Sequence, residues 1–433
     1  MSAEAIFVIM IGFLMLAMFV GNWVFVSLGL TGILGLFLMN PAQLNMVAVQ
    51  VWGTLNSPTL SAGPLFLFMG EIILRSGVST QTYLGLSKIL AALPGGLLHT
   101  NVVSCAMFAA ISGSSVATAA TIGTVAIPDQ KALGYNRRLL LGSIAGAGSL
   151  GILIPPSINM IIYGAWVEAS IGRLFAGGVI PGIIMALLFS IYLAIRVSMN
   201  PSLAPSLPST WREKLVSLKD LVPISVLIVF IFYGIFSGIM TPTETAALGA
   251  AAAVVIAAAL GRFSWRLVYD SAVSALGVSS MILLIMGSAS IAAYAMTVGG
   301  MPSRMVEWVA KSGLSNQQVL LIIYLIYLLL GCIMEGISMM MVTLPFVLPI
   351  LLALKIDLVW FGIVLIVLTE MGMLTPPLGV TLYVALGLDK EAKFEDAVRG
   401  IVPFLFLQGV VLALLTAYPN LALFLPNLFF GPQ

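Results

Sequence analysis

Gly151-Ile152-Leu153-Ile154-Pro155-Pro156-Ser157 interrupts a long apolar run, and 221 residues further on Gly372-Met373-Leu374-Thr375-Pro376-Pro377-Leu378 interrupts another. A Pro-Pro step removes two backbone donors and pushes the preceding residue out of the helical region, so carbonyls one turn earlier lose their partners. In hydrocarbon such carbonyls must be satisfied by a cation, a substrate or water in a protein-lined cavity. Discontinuous helices at matching positions of two halves are the sequence pattern of a transport site. The competing reading is a pair of proline kinks in packed helices.

The surrounding composition fixes the environment. Of 433 residues, 61% are hydrophobic and 8% charged, against about 25% charged in a typical soluble domain. Runs such as Val24 to Met39, Leu174 to Ile195, Leu221 to Met240 and Phe404 to Ala417 approach or reach the length that crosses ~30 Å of hydrocarbon, and roughly a dozen such segments fit in the chain. The runs are continuous and do not alternate, which excludes a β-barrel. No cleavable signal is expected, because only Glu4 precedes the first apolar run and a basic n-region is missing. The net charge of +2 gives no reason to invoke nucleic acid. Cys105 and Cys332 lie in apolar segments, and the lone His99 cannot build a zinc or haem site, so no metal centre or cofactor is expected.

Ser198 to Asp220, with Pro201, Pro205 and Pro208 followed by Arg212, Lys214 and Lys219, reads as a linker between halves. Basic residues also gather at Lys131, Arg137 and Arg138 and at Arg262 and Arg266, placing these three loops on the cytoplasmic side. Leu354-Lys355-Ile356-Asp357, the counterpart of the first basic loop after a 221-residue shift, is electrically balanced. That asymmetry suits an inverted repeat. Identity between the halves is weak: from Ser112 to Gly164 only Pro128, Ala132, Leu133, Gly151, Leu153, Pro155 and Pro156 recur. The same register sets Ser112-Gly113-Ser114-Ser115 against Ile333-Met334-Glu335-Gly336. Ser61 to Ser76 and Leu283 to Gly299 look too short or broken to span alone. Each is either a re-entrant hairpin or a small-residue packing face.

Thr241-Pro242-Thr243-Glu244 has the form of a capping box with proline in the first turn, so Glu244 is assigned to helix capping. Glu71, Glu335 and Glu370 are different. A carboxylate at membrane depth costs at least ~3 kcal/mol unless it is paired or lines water, which makes them functional candidates. Ser112-Gly113-Ser114-Ser115 beside Ser149-Leu150-Gly151-Ile152, and Glu335-Gly336-Ile337-Ser338 beside Glu370-Met371-Gly372, combine hydroxyls or carboxylates with flexible backbone. With Pro155, Thr375 and Pro376 at the breaks, this inventory suits two oxygen cages for a hard cation, Na⁺ being the natural candidate, and does not suit a transition metal.

The segments resemble the large membrane (M) subunit of the tripartite ATP-independent periplasmic (TRAP) transporters. The resemblance is carried by Gly63-Pro64-Leu65-Phe66-Leu67-Phe68-Met69-Gly70-Glu71, where Gly63 departs from the usual Ile, and by Ser112 to Ala119, Gly151 to Ser157 and Gly178 to Gly182. Its most specific part is Gly238-Ile239-Met240-Thr241-Pro242-Thr243-Glu244-Thr245-Ala246-Ala247, followed by Leu374 to Val380. It implies an all-α integral membrane protein of elevator type, built from inverted repeats with re-entrant hairpins and broken helices. Scaffold helices are then expected over 1–57, a first transport repeat over 58–170, scaffold over 171–270 with the 198–220 linker, a second transport repeat over 271–390 and C-terminal scaffold over 391–433. It further implies Na⁺-coupled uptake of a small organic acid, such as a C4-dicarboxylate or sialic acid, across a bacterial inner membrane. The partners implied are a separate small membrane (Q) subunit and a periplasmic substrate-binding (P) protein. Gly63, Pro64, Thr118, Ser157, Asn159 and Ser338 are the candidates for contacting the acid.

A stand-alone Na⁺/divalent-anion symporter is the nearest rival. An ion channel would need a carbonyl-filter repeat or a charged ring, and neither is present in the sequence. An intramembrane enzyme finds no HExxH and no Ser/His dyad around its single His.

Overall fold

The computed structural model describes residues 2–205 and 209–432; Met1, Gln433 and Ser206, Leu207 and Pro208 of the linker lie outside the described residues. Twenty-one α-helices and no strand occur among the described residues. Five helices are long and apolar enough to cross a membrane, or up to seven if each bent pair counts as one span. The dozen or so apolar segments expected are thus a mixture of full-length and shorter helices among the described residues. The breaks cut several of them into apolar helices of 10–17 residues, such as Leu97–Ser112, Ile158–Val167 and Leu358–Leu374.

The register seen at the two Pro-Pro steps runs through the chain. Ser115–Ala132 and Gly336–Ala353 start and end 221 residues apart, and Arg137–Gly148 and Leu358–Leu374 start in the same register. Val24–Met39 answers to Pro242–Ala259, and Ile171–Met199 to Phe394–Ala417. Both Pro155-Pro156 and Pro376-Pro377 have cis peptide bonds.

Two helical hairpins form, and of the two readings open for Ser61 to Ser76 and Leu283 to Gly299 the packing face holds. Leu97–Ser112 packs against Ser115–Ala132 across a tip where Gly113 takes φ 60° and Ser114 is extended. Asn316–Gly331 and Gly336–Ala353 repeat this arrangement around an extended Glu335. Ser61 to Ser76 is instead mostly the single helix Ala62–Arg75, and Leu283 to Gly299 is the second half of the 34-residue helix Trp265–Val298. Its small residues do not stop it. Ser290 Oγ donates to the Gly287 carbonyl at 2.7 Å within the helix. They serve close approach: a Cβ on Gly32 of Val24–Met39 would lie 2.6 Å from the Ala292 amide nitrogen.

Two helix groupings stand out in the packing. Ala62–Arg75 packs on Pro242–Ala259 and Trp265–Val298, with Gly249 set against Met69. The Gly- and Ala-rich face of Pro242–Ala259 is thus covered by Ala62–Arg75. At the other end of the chain, Phe394–Ala417 packs on Arg137–Gly148. Gly142 and Gly400 approach so closely that neither has room for a side chain.

The three basic loops lie on one face. Asn136 N–H donates to the Leu203 carbonyl and Tyr135 to that of Pro205. Arg262 donates to the Ser76 carbonyl and to Gln81, which in turn reaches Asp220. Lys131 and Arg137 both pair with Asp389 and Glu391, at 2.9–3.3 Å, and Arg138 pairs with Asp396. This cluster ties the loop after the first hairpin to the loop before Phe394–Ala417.

Candidate functional site

Both hairpin tips open into one cavity of about 270 Å³. The first tip contributes Ser112 to Ala117, the second Glu335 and Ile337; Asn159, Glu71 and Met373 complete the polar and flexible lining. Each tip ends in the start of a helix. Ser114 caps Ser115–Ala132, its hydroxyl accepting from the Ala117 amide at 3.4 Å. Glu335 caps Gly336–Ala353, one carboxylate oxygen accepting from Ile337 and Ser338 at 3.0 and 3.3 Å. Serine and glutamate therefore occupy equivalent positions, each satisfying amides that a helix N-terminus leaves without partners.

The first tip is held from behind by the first broken helix. Ser115 Oγ donates to the Ser149 carbonyl at 3.1 Å, and a Cβ on Gly151 would come within 2.6 Å of the Ser114 carbonyl. Ser149 Oγ receives the Gln408 amide at 2.7 Å and itself donates to Gly146 O. The Ile158 amide, just past Pro155-Pro156-Ser157, donates to the Gly113 carbonyl at 3.4 Å. Ser157 caps the helix Ile158–Val167, accepting from Met160.

The second tip has a matching brace. Gly331 and Gly372 meet backbone to backbone, a Cβ on Gly372 falling 2.5 Å from the Gly331 Cα. Leu378 N–H donates to the Cys332 carbonyl, Thr381 to that of Met373, and Thr375 to that of Met371. Gly336 faces Thr369 and Asn159, whose Nδ2 is 3.0 Å from where a Cβ would sit.

The structure separates the other proposed residues. Thr118 is buried behind the first tip, its hydroxyl donating to Ser114 O at 2.7 Å and lying 2.9 Å from Ser112 Oγ. Ser338 is buried and spends its amide on Glu335. Gly63 and Pro64 line a smaller apolar crevice with Ile161, Ile162 and Leu283. Glu71 reaches the cavity but is paired with Arg75 at 2.8 Å. Glu370 is fully buried, with both carboxylate oxygens lacking a hydrogen-bond partner among the described residues. The Oε1 of Gln408 is likewise unpartnered. Glu244 forms the expected capping box with Thr241, in both directions. His99 contacts the Pro94 carbonyl at 2.7 Å.

Two residues were not legible as site members. Gln408 sits in a smooth apolar helix and reveals its role only by reaching Ser149; Met373 reads as helix filling. A polar residue within Phe394–Ala417 was the available signal for the first.

Comparison with known proteins gives the family. Residues 10–421 match the family described as tripartite ATP-independent periplasmic transporter, DctM component. The chain belongs to this TRAP permease family. It is 34% identical to the C4-dicarboxylate TRAP transporter large permease protein DctM of Pseudomonas aeruginosa, over 93% of this chain and 94% of that one. To the isethionate TRAP transporter permease protein DctMQ of Oleidesulfovibrio alaskensis it is 32% identical, over 96% of this chain and 66% of the relative. The fold is similar to that of the YdaH transporter of Alcanivorax borkumensis, with a TM-score of 0.62 at 14% identity, over 89% and 91% of the two chains. As a TRAP permease the chain is a multi-pass membrane transporter and not an enzyme.

Proposed function

We propose that this TRAP permease carries a small organic acid inward through a bacterial inner membrane, driven by Na⁺, with a periplasmic binding protein delivering the acid. The observation that supports this reading is the convergence of two braced hairpin tips on one cavity. Carbonyls and hydroxyls around Ser112, Gly113, Ser114, Ser149 and Gly151 supply hard-cation ligands, while the amides starting Ser115–Ala132 face the same space as an anion seat. The second tip offers Glu335, Gly336, Thr375 and Pro376 for a second Na⁺, with buried Glu370 two residues before Gly372. The P. aeruginosa relative suggests a C4-dicarboxylate and the O. alaskensis relative a sulfonate, so the family frame leaves the acid open. A small membrane subunit, one chain with the permease in the DctMQ relative, is the proposed lateral partner.

In an elevator the moving body would be the helices packed around the two hairpins, from Leu97 to Met199 and from Asn316 onward. The static part would be Ala3 to Leu90 and Trp211 to Lys311. With the basic face cytoplasmic, the cavity lies at the inner end of Ala62–Arg75, beside Glu71 and Leu74. A separate groove lined by Thr54, Ser57, Thr59 and Glu168 lies at the outer end. The apolar crevice around Gly63 and Pro64 lies between them along the helix and serves as the seal.

Uptake into proteoliposomes holding the permease and its small subunit, with binding protein outside, tests this. Accumulation should need an inward Na⁺ gradient, and Ser114→Leu should abolish it while the protein stays folded in the membrane. Full uptake with K⁺ alone would remove Na⁺ from the proposal.

A further inference from the structure

Although the two hairpin tips are related by the repeat, only one of them leaves its helix N-terminus to a ligand. At the first, the cap is a neutral serine hydroxyl that takes a single amide, that of Ala117, and Ser115, Val116 and Ala117 all line the cavity. At the second, Glu335 places a carboxylate of the protein on the Ile337 and Ser338 amides, in the place where an incoming anion would bind. No Lys or Arg lines the cavity, and the one further carboxylate, Glu71, is matched by Arg75. Asn159 gives an independent sign of a ligand. Its side chain is 4% exposed, lines the cavity and makes no hydrogen bond among the described residues.

We infer that the cavity selects a monoanionic acid: a single carboxylate on the amides of Ser115 and Val116, an apolar body, and a hydroxyl or amino donor directed at Glu335 and Asn159. This rests on the organic-acid reading above and narrows its substrate class. The body would lie against Phe108, Ile158, Met281 and Ile282, which with other apolar side chains form most of the wall. A volume near 270 Å³ falls just below the ~300 Å³ lower end for drug-sized ligands, so the acid is small. A dicarboxylate meets one free helix terminus and, across the cavity, an acceptor already in place. Its second charge would lie near the Glu335 carboxylate with the neutral side-chain amide of Asn159, and no cation among the described lining residues, to offset it.

The test is equilibrium binding of radiolabelled 2-hydroxyisocaproate and succinate to the full-length permease with its small subunit, in lipid nanodiscs with Na⁺. The hydroxy acid should bind at least about tenfold more tightly. Glu335→Gln should shrink that ratio by strengthening succinate, and Asn159→Ala should weaken the hydroxy acid alone. Equal or tighter succinate binding by the wild type would overturn the inference while leaving organic-acid transport intact. An unchanged ratio in folded Glu335→Gln would overturn it as well. If neither acid bound, the organic-acid reading would fail and the inference with it. Should Glu335→Gln not fold, the wild-type ratio alone decides.

Discussion

Residues 41–75 and 262–298 are counterparts in the repeat, yet the first is two helical pieces bent by 54° and the second includes one helix of 34 residues. The break falls at Asn56-Ser57-Pro58, where Ser57 is extended and Pro58 opens the next turn. Shifted by 221, Pro58 becomes Ser279, whose hydroxyl bonds back to the Ala275 carbonyl at 2.6 Å without stopping the helix. Two stretches of similar apolar character thus differ by a residue that cannot donate and one that can. A proline stands where the first stretch bends, whereas glycines such as Gly277 and Gly287 leave the long helix unbroken.

Where the halves agree, they should fail together. Gly151→Leu and Gly372→Leu each drive a side chain into backbone at 2.5–2.6 Å, which cannot yield as a flexible side chain would. Each should cost more than about 4 kcal/mol and remove folded protein from size-exclusion profiles in detergent. Tolerance of one and not the other would show that the two braces are unequal.

The bend itself can be moved. Ser279→Pro should break the long helix at a cost of about 3 kcal/mol, read as a fall in thermal unfolding temperature. An unchanged midpoint would mean that something other than Pro58 bends the first half. At the tips, Ser114→Ala should lose about 1 kcal/mol through the lost cap. Glu335→Ala should lose more, since two amides are released there. The reverse order would contradict the capping geometry. The smallest effect belongs to Pro58→Ala, expected to stay below about 1 kcal/mol. The bend is also tied from outside, Thr243 donating to the Pro58 carbonyl at 3.2 Å. Straightening detected by distance measurements across the break would show that the proline alone maintains it.

Much of this was legible because prolines and glycines act locally. The paired Pro-Pro steps, the tip at Gly113-Ser114 and the Thr241–Glu244 cap each follow from a lost donor, a positive φ or a short side-chain reach. The small-residue segments show the limit. Gly287, Ser288 and Ser290 could either interrupt a helix or let another approach it, and only the presence of Val24–Met39 at close range decides for packing. Glu335 was legible as unusual, but its use as a cap depends on the chain turning just before it. Gln408 could not be paired with Ser149 from the sequence, because the contact spans 259 positions.

That long contact also orders events in time. Arg137–Gly148 is among the early helices made by the ribosome, yet Gly142 waits for Gly400, Gly146 for Phe404 and Ser149 for Gln408. Until the last helices enter the membrane, the first broken helix has an uncovered face and a buried hydroxyl without its donor. The chain must therefore hold its first repeat open through most of its synthesis, a natural window for an insertion chaperone. A premature stop near residue 390 would leave both repeats translated and the first of them unsealed.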